Sequence, residues 1–484
     1  MAQINPGQVD GRLARSNGTG AQPMLGHEED PSAKEDQREN EDMVPVDLGG
    51  GISPSLLQGR RAGRIEKTHL VLKRRLAERA AKKNMDLIDL GTDYSYPFFD
   101  TYPPTVSALE ALGHHSVSAR GYPSSYGLIE LRAEIAKFMD AQFGVTVDPM
   151  SEVMITTGAS QAFDALSRTF CGDYFLIPEL SLPTVNVIAI ANGARPVRVE
   201  LNPKTGLVDI DAAAALLDDL GRPSVRFMYI NSPANPNGAV ADKAFLDELV
   251  TFAKQYKILL MHDMDSWFQT HIADMVLPNI LEIDGASEVA ITVLSFSKEF
   301  GLPGLRIGFV VGNQKVINAL RIHNSEYCVM LPEPCQFAAI AALRGLRSDG
   351  QKVRIAREVT AILDYTISQW HSLGWPLDAV QRPSAGFKYL LSPPPSFVAV
   401  GDASGVELFD YFLATRPFVK LSTSRSFCEY NTDCCRVVVM QSMETMREVF
   451  RRLRMAGVHY GMAMPRGLAR ERISDTADLT LADL

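Results

Sequence analysis

One short segment, residues 294–309 with the sequence LSFSKEFGLPGLRIGF, gathers the side chains best suited to chemistry. The hydroxyls of Ser295 and Ser297 and the guanidinium of Arg306 are donors suited to a phosphate group, and the glycines between them let the backbone approach a ligand. Lys298 lies among these donors, where its amine could attack an aldehyde and form a Schiff base. This combination is typical of pyridoxal phosphate chemistry.

A second candidate site lies at residues 156–163, TTGASQAF, where a predicted strand joins a predicted helix. The unpaired backbone N–H groups and the dipole of a helix N-terminus favour phosphate. We therefore predict that Gly158, Ala159 and Ser160 bind a phosphate group. Taken alone, a glycine at such a turn is more often structural, and its position ahead of Lys298 in the chain favours the functional interpretation.

The elements that must position these residues follow from the hydrophobic pattern. From about 105 to 310, short apolar runs at 152–157, 225–231, 258–263, 290–295 and 307–312 alternate with amphipathic, helix-like stretches. This pattern predicts buried parallel strands separated by helices, in a layered α/β domain. After about 335 helix-like segments give way to short strand-like ones, which predicts a smaller α+β domain.

Composition narrows the class of protein. The 484 residues include 48 Lys and Arg against 57 Asp and Glu, a net charge of −9 that argues against nucleic-acid or membrane-surface partners. The six cysteines lack CxxC spacing, which predicts reduced thiols, no metal site and a cytoplasmic location. No stretch approaches the roughly 18 apolar residues that a membrane span requires. We expect an enzyme that acts on small molecules.

The segment Ser295–Gly308 resembles the S-x-S-K-x-x-G-L-x-G-x-R-x-G signature of fold-type I pyridoxal-phosphate enzymes, specifically the class I/II aminotransferase superfamily. The resemblance implies pyridoxal 5'-phosphate as cofactor, a Schiff base on Lys298, and a large domain like that of aspartate aminotransferase, with a mostly parallel seven-stranded sheet between helices. With the composition, it predicts these boundaries: a disordered tail at 1–50, an arm and part of the small domain at 51–104, the large cofactor-binding domain at 105–334, the small domain at 335–464, and a tail at 465–484.

Two further segments match this superfamily around the cofactor ring. Residues 231–238, NSPANPNG, resemble its N-P-x-N-P-x-G loop with Ser232 at the first Asn position, which implies that Asn235 hydrogen-bonds the phenolic oxygen of the cofactor. Asp263 ends the strand ILLMHD and resembles the acid that pairs with the pyridine nitrogen. Asp265 is the alternative, and the strand-end position favours Asp263.

Two more positions imply contacts with a partner and with the substrate. Residues 120–139 resemble the segment whose tyrosine, here Tyr122, reaches the phosphate across a dimer interface, which implies a homodimer. Arg436 matches the arginine that binds the α-carboxylate of an amino acid substrate with two parallel hydrogen bonds. The alternative for Arg436 is an ordinary arginine at a strand edge.

The chain departs from the superfamily pattern around the substrate. Ser266 stands where the superfamily has a tyrosine, and residues 89–104 replace its G-x-P loop. Leu182 stands where the superfamily has the aromatic residue that stacks on the cofactor. Trp267, Tyr94 or Tyr96 could take over that stacking. Residues 133–149 and 297–308 are also similar to 1-aminocyclopropane-1-carboxylate synthases.

The leading hypothesis for the function is an aminotransferase with Lys298 as general base. The alternative is a lyase or carbon–carbon bond-forming enzyme that eliminates at Cβ or Cγ, for example from S-adenosylmethionine.

Overall fold

The computed structural model describes most of the chain after residue 71. The described residues are 72–92, 99–100, 102–115, 123–170, 174–220, 225–266, 277–327, 331–346, 350–424, 427 and 433–477. The predicted tail at 1–50 and Tyr122, Tyr94, Tyr96 and Trp267 lie outside these ranges.

Strands and helices alternate along the first two thirds of the described chain. The strands are β1 Ile88–Asp89, β2 Val153–Thr156, β3 Tyr174–Pro178, β4 Arg195–Val199, β5 Val225–Asn231, β6 Leu259–Asp263, β7 Ala290–Ser295, β8 Gly308–Gly312, β9 Val380–Gln381, β10 Lys388–Leu391, β11 Val419–Lys420, β12 Ser422–Thr423 and β13 Cys435–Val438. The labelled helices are α1 Pro103–His114, α2 Ile129–Phe143, α3 Gly158–Thr169, α4 Pro183–Ala191, α5 Ile210–Leu220, α6 Lys243–Tyr256, α7 Phe296–Glu299, α8 Gln314–Tyr327, α9 Glu333–Gly345, α10 Gly350–Ser372, α11 Gly405–Thr415, α12 Met443–Met455 and α13 Leu468–Ala477. A further helix runs over residues 72–81.

The large sheet has seven strands in the order β2-β8-β7-β6-β5-β3-β4. Strand β8 runs antiparallel to β2 and β7, and the other neighbours are parallel, which confirms the predicted mostly parallel sheet. Strand β4 (RPVRV) does not stand out in the sequence, because it alternates charged and apolar residues at the sheet edge and is only partly buried. A mixed pattern at an edge carries less signal than a continuous apolar run.

Helices cover both faces of this sheet, and the alternation of side chains along β5 shows how. Phe227 and Tyr229 pack with Phe163 of α3, whereas Met228 and Ile230 pack with the layer that contains α6. Successive side chains of a strand point to opposite faces, so a strand buried on both faces is mostly apolar. This burial explains why the central strands appear as predominantly apolar runs.

The second sheet has four short antiparallel strands in the order β12-β13-β10-β9. Its register pairs Leu390 with Arg436 and Lys388 with Val438. Tyr389 faces the helices on one side, where its hydroxyl accepts a hydrogen bond of 2.7 Å from Nε1 of Trp370 in α10. Leu390, on the other face, packs with Leu180, which follows β3 of the large sheet. One face of this sheet therefore contacts α10, and the other contacts the residue that follows β3.

Both ends of the described chain contribute to the region around the small sheet. Strand β1 pairs in parallel with β11, through Ile88 with Val419. Within residues 465–484, where the sequence predicts a tail, the helix α13 contacts α11: Arg472 forms a 2.7 Å ion pair with Glu407. Among the described residues, no helix is both long and apolar enough to cross a membrane. The same part of the chain contains no cluster of three His, Cys, Asp or Glu residues placed to bind a metal.

Candidate active site

A cavity of about 190 Å³ lies at the carboxyl ends of β5, β6 and β7. This is where ligands bind in open α/β sheets, because the strand ends and the following turns present polar groups there. Eight of the residues predicted from the sequence line it: Ala159, Ser160, Asn235, Asp263, Ser295, Ser297, Lys298 and Arg306. The structure thus brings together in one cavity residues that are far apart in the chain.

One side of the cavity is the turn between β2 and α3. Gly158 has a φ of +72°, and a Cβ atom there would lie 2.7 Å from Nη2 of Arg306. Gly308 is equally close-packed, since its Cβ would lie 2.8 Å from the carbonyl carbon of Gly158. The guanidinium of Arg306 therefore rests against the backbone at the start of α3, where the helix dipole and the N–H groups also attract anions. This side of the cavity is suited to a phosphate group.

The chain leaves β7 through a tight serine turn that places Lys298. The backbone N–H of Ser297 donates to Oγ of Ser295 at 3.1 Å, and the two hydroxyls are 2.9 Å apart. This cap begins the short helix α7, and Lys298 in that helix lines the cavity next to both serines. Lys298 and the residues suited to binding phosphate therefore line the same cavity.

Asp263 lies at the end of β6 and is buried, with 5% of its surface exposed. The Tyr229 hydroxyl donates to its Oδ2 at 2.8 Å, and the backbone N–H of Asp265 donates to Oδ1 at 3.1 Å. Burial raises the pKa of Asp263 to about 8, the charge of Asp265 adds to the rise, and Tyr229 and Lys388 oppose it. A cationic N–H group in the cavity would favour the ionised form of this carboxyl. Asp265 also lines the cavity, and its Oδ1 accepts from Oγ of Ser266 at 3.3 Å.

The loop that carries Asn235 is tied to the neighbouring strands. Its backbone N–H donates to Oδ1 of Asn231 at 2.6 Å, and Nδ2 of Asn231 donates to the carbonyl of Asp263 at 2.9 Å. Ser232, at the position of the first Asn in the motif, accepts the N–H of Ala241 at 2.9 Å. The peptide bonds before Pro233 and Pro236 are cis. The serine thus anchors the loop, and Asn235 remains in the cavity wall.

Arg436 lies on β13, an interior strand of the small sheet, and is buried. Its Nη1 donates to Oδ1 of Asn235 at 3.0 Å, and its Nη2 donates to the carbonyl of Gly91 at 2.5 Å. The guanidinium carbon lies 4.4 Å from the ring centroid of Phe427. These contacts orient the guanidinium next to the cavity wall.

Three features of the site are not evident from the sequence. Tyr229 binds Asp263, Lys388 lies close enough to affect the pKa of Asp263, and Gly91 holds Arg436. Tyr229 could have been found from the alternation of β5, which places it on the same face as Asn231. Leu182 does line the cavity at the start of α4, where the superfamily has an aromatic residue.

Comparison with known proteins identifies relatives over most of the chain. Residues 86–453 match the family model described as aminotransferase class I and II. The chain is 29% identical to LL-diaminopimelate aminotransferase of Moorella thermoacetica, over 79% of this chain and 94% of the relative. It is 28% identical to glutamate-pyruvate aminotransferase AlaC of Escherichia coli, over 77% of this chain and 87% of the relative.

The fold also matches solved structures. A Thermus thermophilus aspartate aminotransferase superimposes with a TM-score of 0.68, covering 81% of this chain and 96% of that chain at 22% identity. At 22% identity the match is evidence for the fold alone, and it confirms the predicted aspartate-aminotransferase-like architecture.

Proposed function

The chain belongs to the class I and II aminotransferase family, and we propose that Lys298 is the catalytic residue by which it transfers amino groups between amino acids and keto acids. The observation that carries the proposal is the shared cavity, in which Lys298 lies with Asp263, Asn235 and Arg306. Members of this family use pyridoxal 5'-phosphate, and relatives named as aminotransferases favour transamination over elimination at Cβ or Cγ.

The groups in and beside the cavity fit this cofactor. Ala159, Ser160, Ser295, Ser297 and Arg306 line the cavity and would hold the phosphate, with Gly158 beside them against Arg306. The buried carboxyl of Asp263 would hold the protonated ring nitrogen, because an adjacent cation offsets the cost of ionising it. The amide of Asn235 would hydrogen-bond the phenolic oxygen. When bound, pyridoxal phosphate supplies an aldehyde for the amino group and a ring that withdraws electrons from Cα.

The protein then has two tasks during the reaction. Nζ of Lys298 acts as a general base that takes the proton from Cα of the substrate. Arg436 binds the α-carboxylate and orients the Cα–H bond toward that amine, since a guanidinium can bind a carboxylate with two parallel hydrogen bonds. The contacts of Arg436 with Asn235 and Gly91 support this role, because they hold the guanidinium against Asn235 in the cavity wall.

We also propose that the enzyme is a cytoplasmic homodimer in which Tyr122 contacts the phosphate bound by the partner subunit. Tyr122 lies outside the described residues. Support comes from its neighbours in the chain, since Tyr126 and Ile129 are large hydrophobic side chains with 44% and 40% of their surface exposed. Sedimentation equilibrium of the holoenzyme tests this, and a monomer at micromolar concentration would contradict it.

The division into domains is likewise proposed. The seven-stranded sheet lies within residues 105–334, and the four-stranded sheet lies within 335–464. These positions support a large cofactor-binding domain and a small domain with the boundaries predicted from the sequence.

The function is tested with purified holoenzyme, a panel of amino acids and 2-oxoglutarate. We expect glutamate to form with at least one donor, and we expect Lys298→Ala to lose both this activity and the visible absorbance of lysine-bound cofactor. Lys315→Ala, at an exposed lysine of α8, is the matched control and should retain both. Release of methylthioadenosine from S-adenosylmethionine, with no glutamate from any donor, would instead establish the lyase alternative.

A further inference from the structure

Gly91, whose carbonyl binds Arg436, lies just beyond the end of β1. The pairing of β1 with β11 ends at Asp89. Two residues later, the carbonyl of Gly91 accepts from Nη2 of Arg436 at 2.5 Å and from Oγ of Ser422 at 3.1 Å. Ser422 and Arg436 are directly opposite each other on β12 and β13. One carbonyl oxygen therefore bridges a cross-strand pair, and its direction determines where the guanidinium of Arg436 is held.

The side chain of Asp89 holds the chain on both sides of this carbonyl. Its Oδ1 accepts the backbone N–H of Gly91 at 2.7 Å, and its Oδ2 accepts the hydroxyl of Thr92 at 2.8 Å. Nζ of Lys73, in the helix over residues 72–81, lies 2.5 Å from the same Oδ2. The carboxylate thus fixes the residues immediately before and after the Gly91 carbonyl, which leaves that carbonyl little freedom to rotate.

The ionised form of Asp89 is the one that these contacts favour. Only 7% of its surface is exposed. Burial raises the pKa of this carboxyl, but the hydrogen bond and charge of Lys73, with the bonds from Thr92 and Gly91, outweigh it, so the pKa lies below its usual value. Hydrogen bonds to an ionised group are roughly twice as strong as neutral ones. The bond from the Gly91 N–H is therefore a firm one.

The glycine at position 91 follows from the same packing. A Cβ atom there would lie 2.7 Å from the carbonyl carbon of Leu421, which links β11 to β12, and 2.8 Å from the backbone nitrogen of Ser422. These are backbone atoms, which cannot give way as the end of a side chain can. A larger residue would push the carbonyl away from Arg436, so the close approach requires glycine.

We propose that Asp89 is a positioning residue for substrate binding, which acts through the Gly91 carbonyl to hold Arg436 in the direction that receives the α-carboxylate. This inference rests on the function proposed above for Arg436. The described residues that line the cavity do not include Asp89, so its effect on the substrate is indirect. Its loss should weaken the binding of a carboxylate and leave the cofactor-binding groups in place.

Two small reagents separate carboxylate binding from cofactor binding in the holoenzyme. Aminooxyacetate and methoxyamine carry the same aminooxy nitrogen, which condenses with the aldehyde of bound pyridoxal phosphate to an oxime and changes its visible absorbance. Only aminooxyacetate has a carboxylate, so the ratio of the two second-order rate constants, measured by stopped-flow absorbance, isolates carboxylate binding. We expect Arg436→Ala to lower this ratio strongly.

A double-mutant cycle then tests whether Asp89 acts through Arg436. We expect Asp89→Ala to lower the ratio about tenfold when Arg436 is present, the size of one lost hydrogen bond. In the Arg436→Ala background the same substitution should lower it by less than about twofold, because no oriented guanidinium is left to disturb. Asp89→Asn should retain the wild-type ratio to within about threefold, because its amide oxygen can still accept the Gly91 N–H.

Lys73 gives a second variant at a partly exposed position, which should fold even if Asp89→Ala does not. Lys73→Met removes the cation bonded to Asp89 and should lower the ratio about threefold, the size of one modest ion pair. Arg74→Met, at an exposed cation of the same helix, and Asp86→Ala, at an exposed carboxylate three residues before Asp89, are the matched controls. Both should keep the wild-type ratio.

Three results would overturn the proposal. They are an unchanged ratio in Asp89→Ala, an equal slowing of both reagents, and a decrease of the same size with and without Arg436. If Asp89→Ala does not fold, an unchanged ratio in Lys73→Met overturns it instead. A wild-type ratio that survives Arg436→Ala would contradict the role of Arg436 itself. Oxime formation requires no transamination, so the proposed reaction and the positioning role of Asp89 fail in different measurements.

Discussion

The two sides of the site are assembled in different ways. The proposed cofactor side, formed by Gly158, Asp263 and the segment 295–306, consists of turns beside strands of the large sheet. The proposed substrate side, formed by Arg436 and Gly91, depends on pairing between strands and on a contact between β13 and a segment 345 residues away in the chain. Each group on the first side lies directly beside a strand of one sheet, whereas the second side depends on contacts between separate parts of the fold. Each side should therefore respond to substitution in its own way.

The cofactor side provides electrostatic groups, and Asp263 is the substitution with the largest expected effect. We predict that Asp263→Asn lowers kcat/KM about 100- to 1,000-fold, the range for losing one preorganised electrostatic contact. The amide has nearly the same shape but cannot ionise to hold a protonated ring nitrogen. Asp265→Asn, in the same cavity, should cost less than tenfold, and steady-state kinetics of both variants tests the assignment. The reverse ranking would transfer the role to Asp265.

The same variant has a pH signature in the cofactor-free protein. Burial raises the pKa of Asp263 to about 8, whereas an unfolded aspartate titrates near 3.9. Between those pH values the unfolded chain holds fewer protons at this residue, so its contribution to the free energy of unfolding falls as pH rises from about 4 to about 8. Asp263→Asn should remove this decline, which urea titrations at pH 5 and pH 8 would reveal.

The cofactor side could be predicted largely from the sequence because its residues follow apolar runs directly. Asp263 ends an unbroken strand, and Lys298 follows another within three residues of its last residue, Ser295. Strand ends of a parallel sheet meet at one edge, so the pattern alone brings these side chains together. Gly158 and Arg306 belong to the same class, since each lies beside a strand of the same sheet.

The substrate side could be predicted only in part. Arg436 was identified by resemblance, and no local pattern marks Gly91 as its partner. The face on which Arg436 lies depends on the register of β13 with β10, and a shift of one residue would turn it toward α10. Strands of four residues or fewer with mixed polar and apolar side chains do not define such a register on their own.

A further prediction separates the two sides directly. Arg436→Ala should raise KM for the amino acid substrate about 100-fold, because two charge-assisted hydrogen bonds to the α-carboxylate are lost. The affinity for cofactor should change little, since the phosphate-binding groups lie on the other side. Arg382→Ala removes an exposed arginine that pairs with Asp364 and serves as the control. Loss of bound cofactor in Arg436→Ala, measured by absorbance after desalting, would show that the sides are not independent.

The smallest expected effect comes from a single methyl group on the cofactor side. Gly158 and Gly144 both have left-handed backbones, with φ of +72° and +64°, so alanine costs about 1 kcal/mol of backbone strain at either position. A Cβ at Gly158 would lie 2.7 Å from Nη2 of Arg306, whereas nothing lies within 4 Å of one at Gly144. Because Nη2 is the end of a flexible side chain, Gly158→Ala should fold and displace the guanidinium from the phosphate-binding side. We therefore expect about tenfold weaker cofactor binding in Gly158→Ala alone, with unfolding free energies similar in the two variants. Equal cofactor affinities in both would mean that the contact between Arg306 and the start of α3 contributes nothing to phosphate binding.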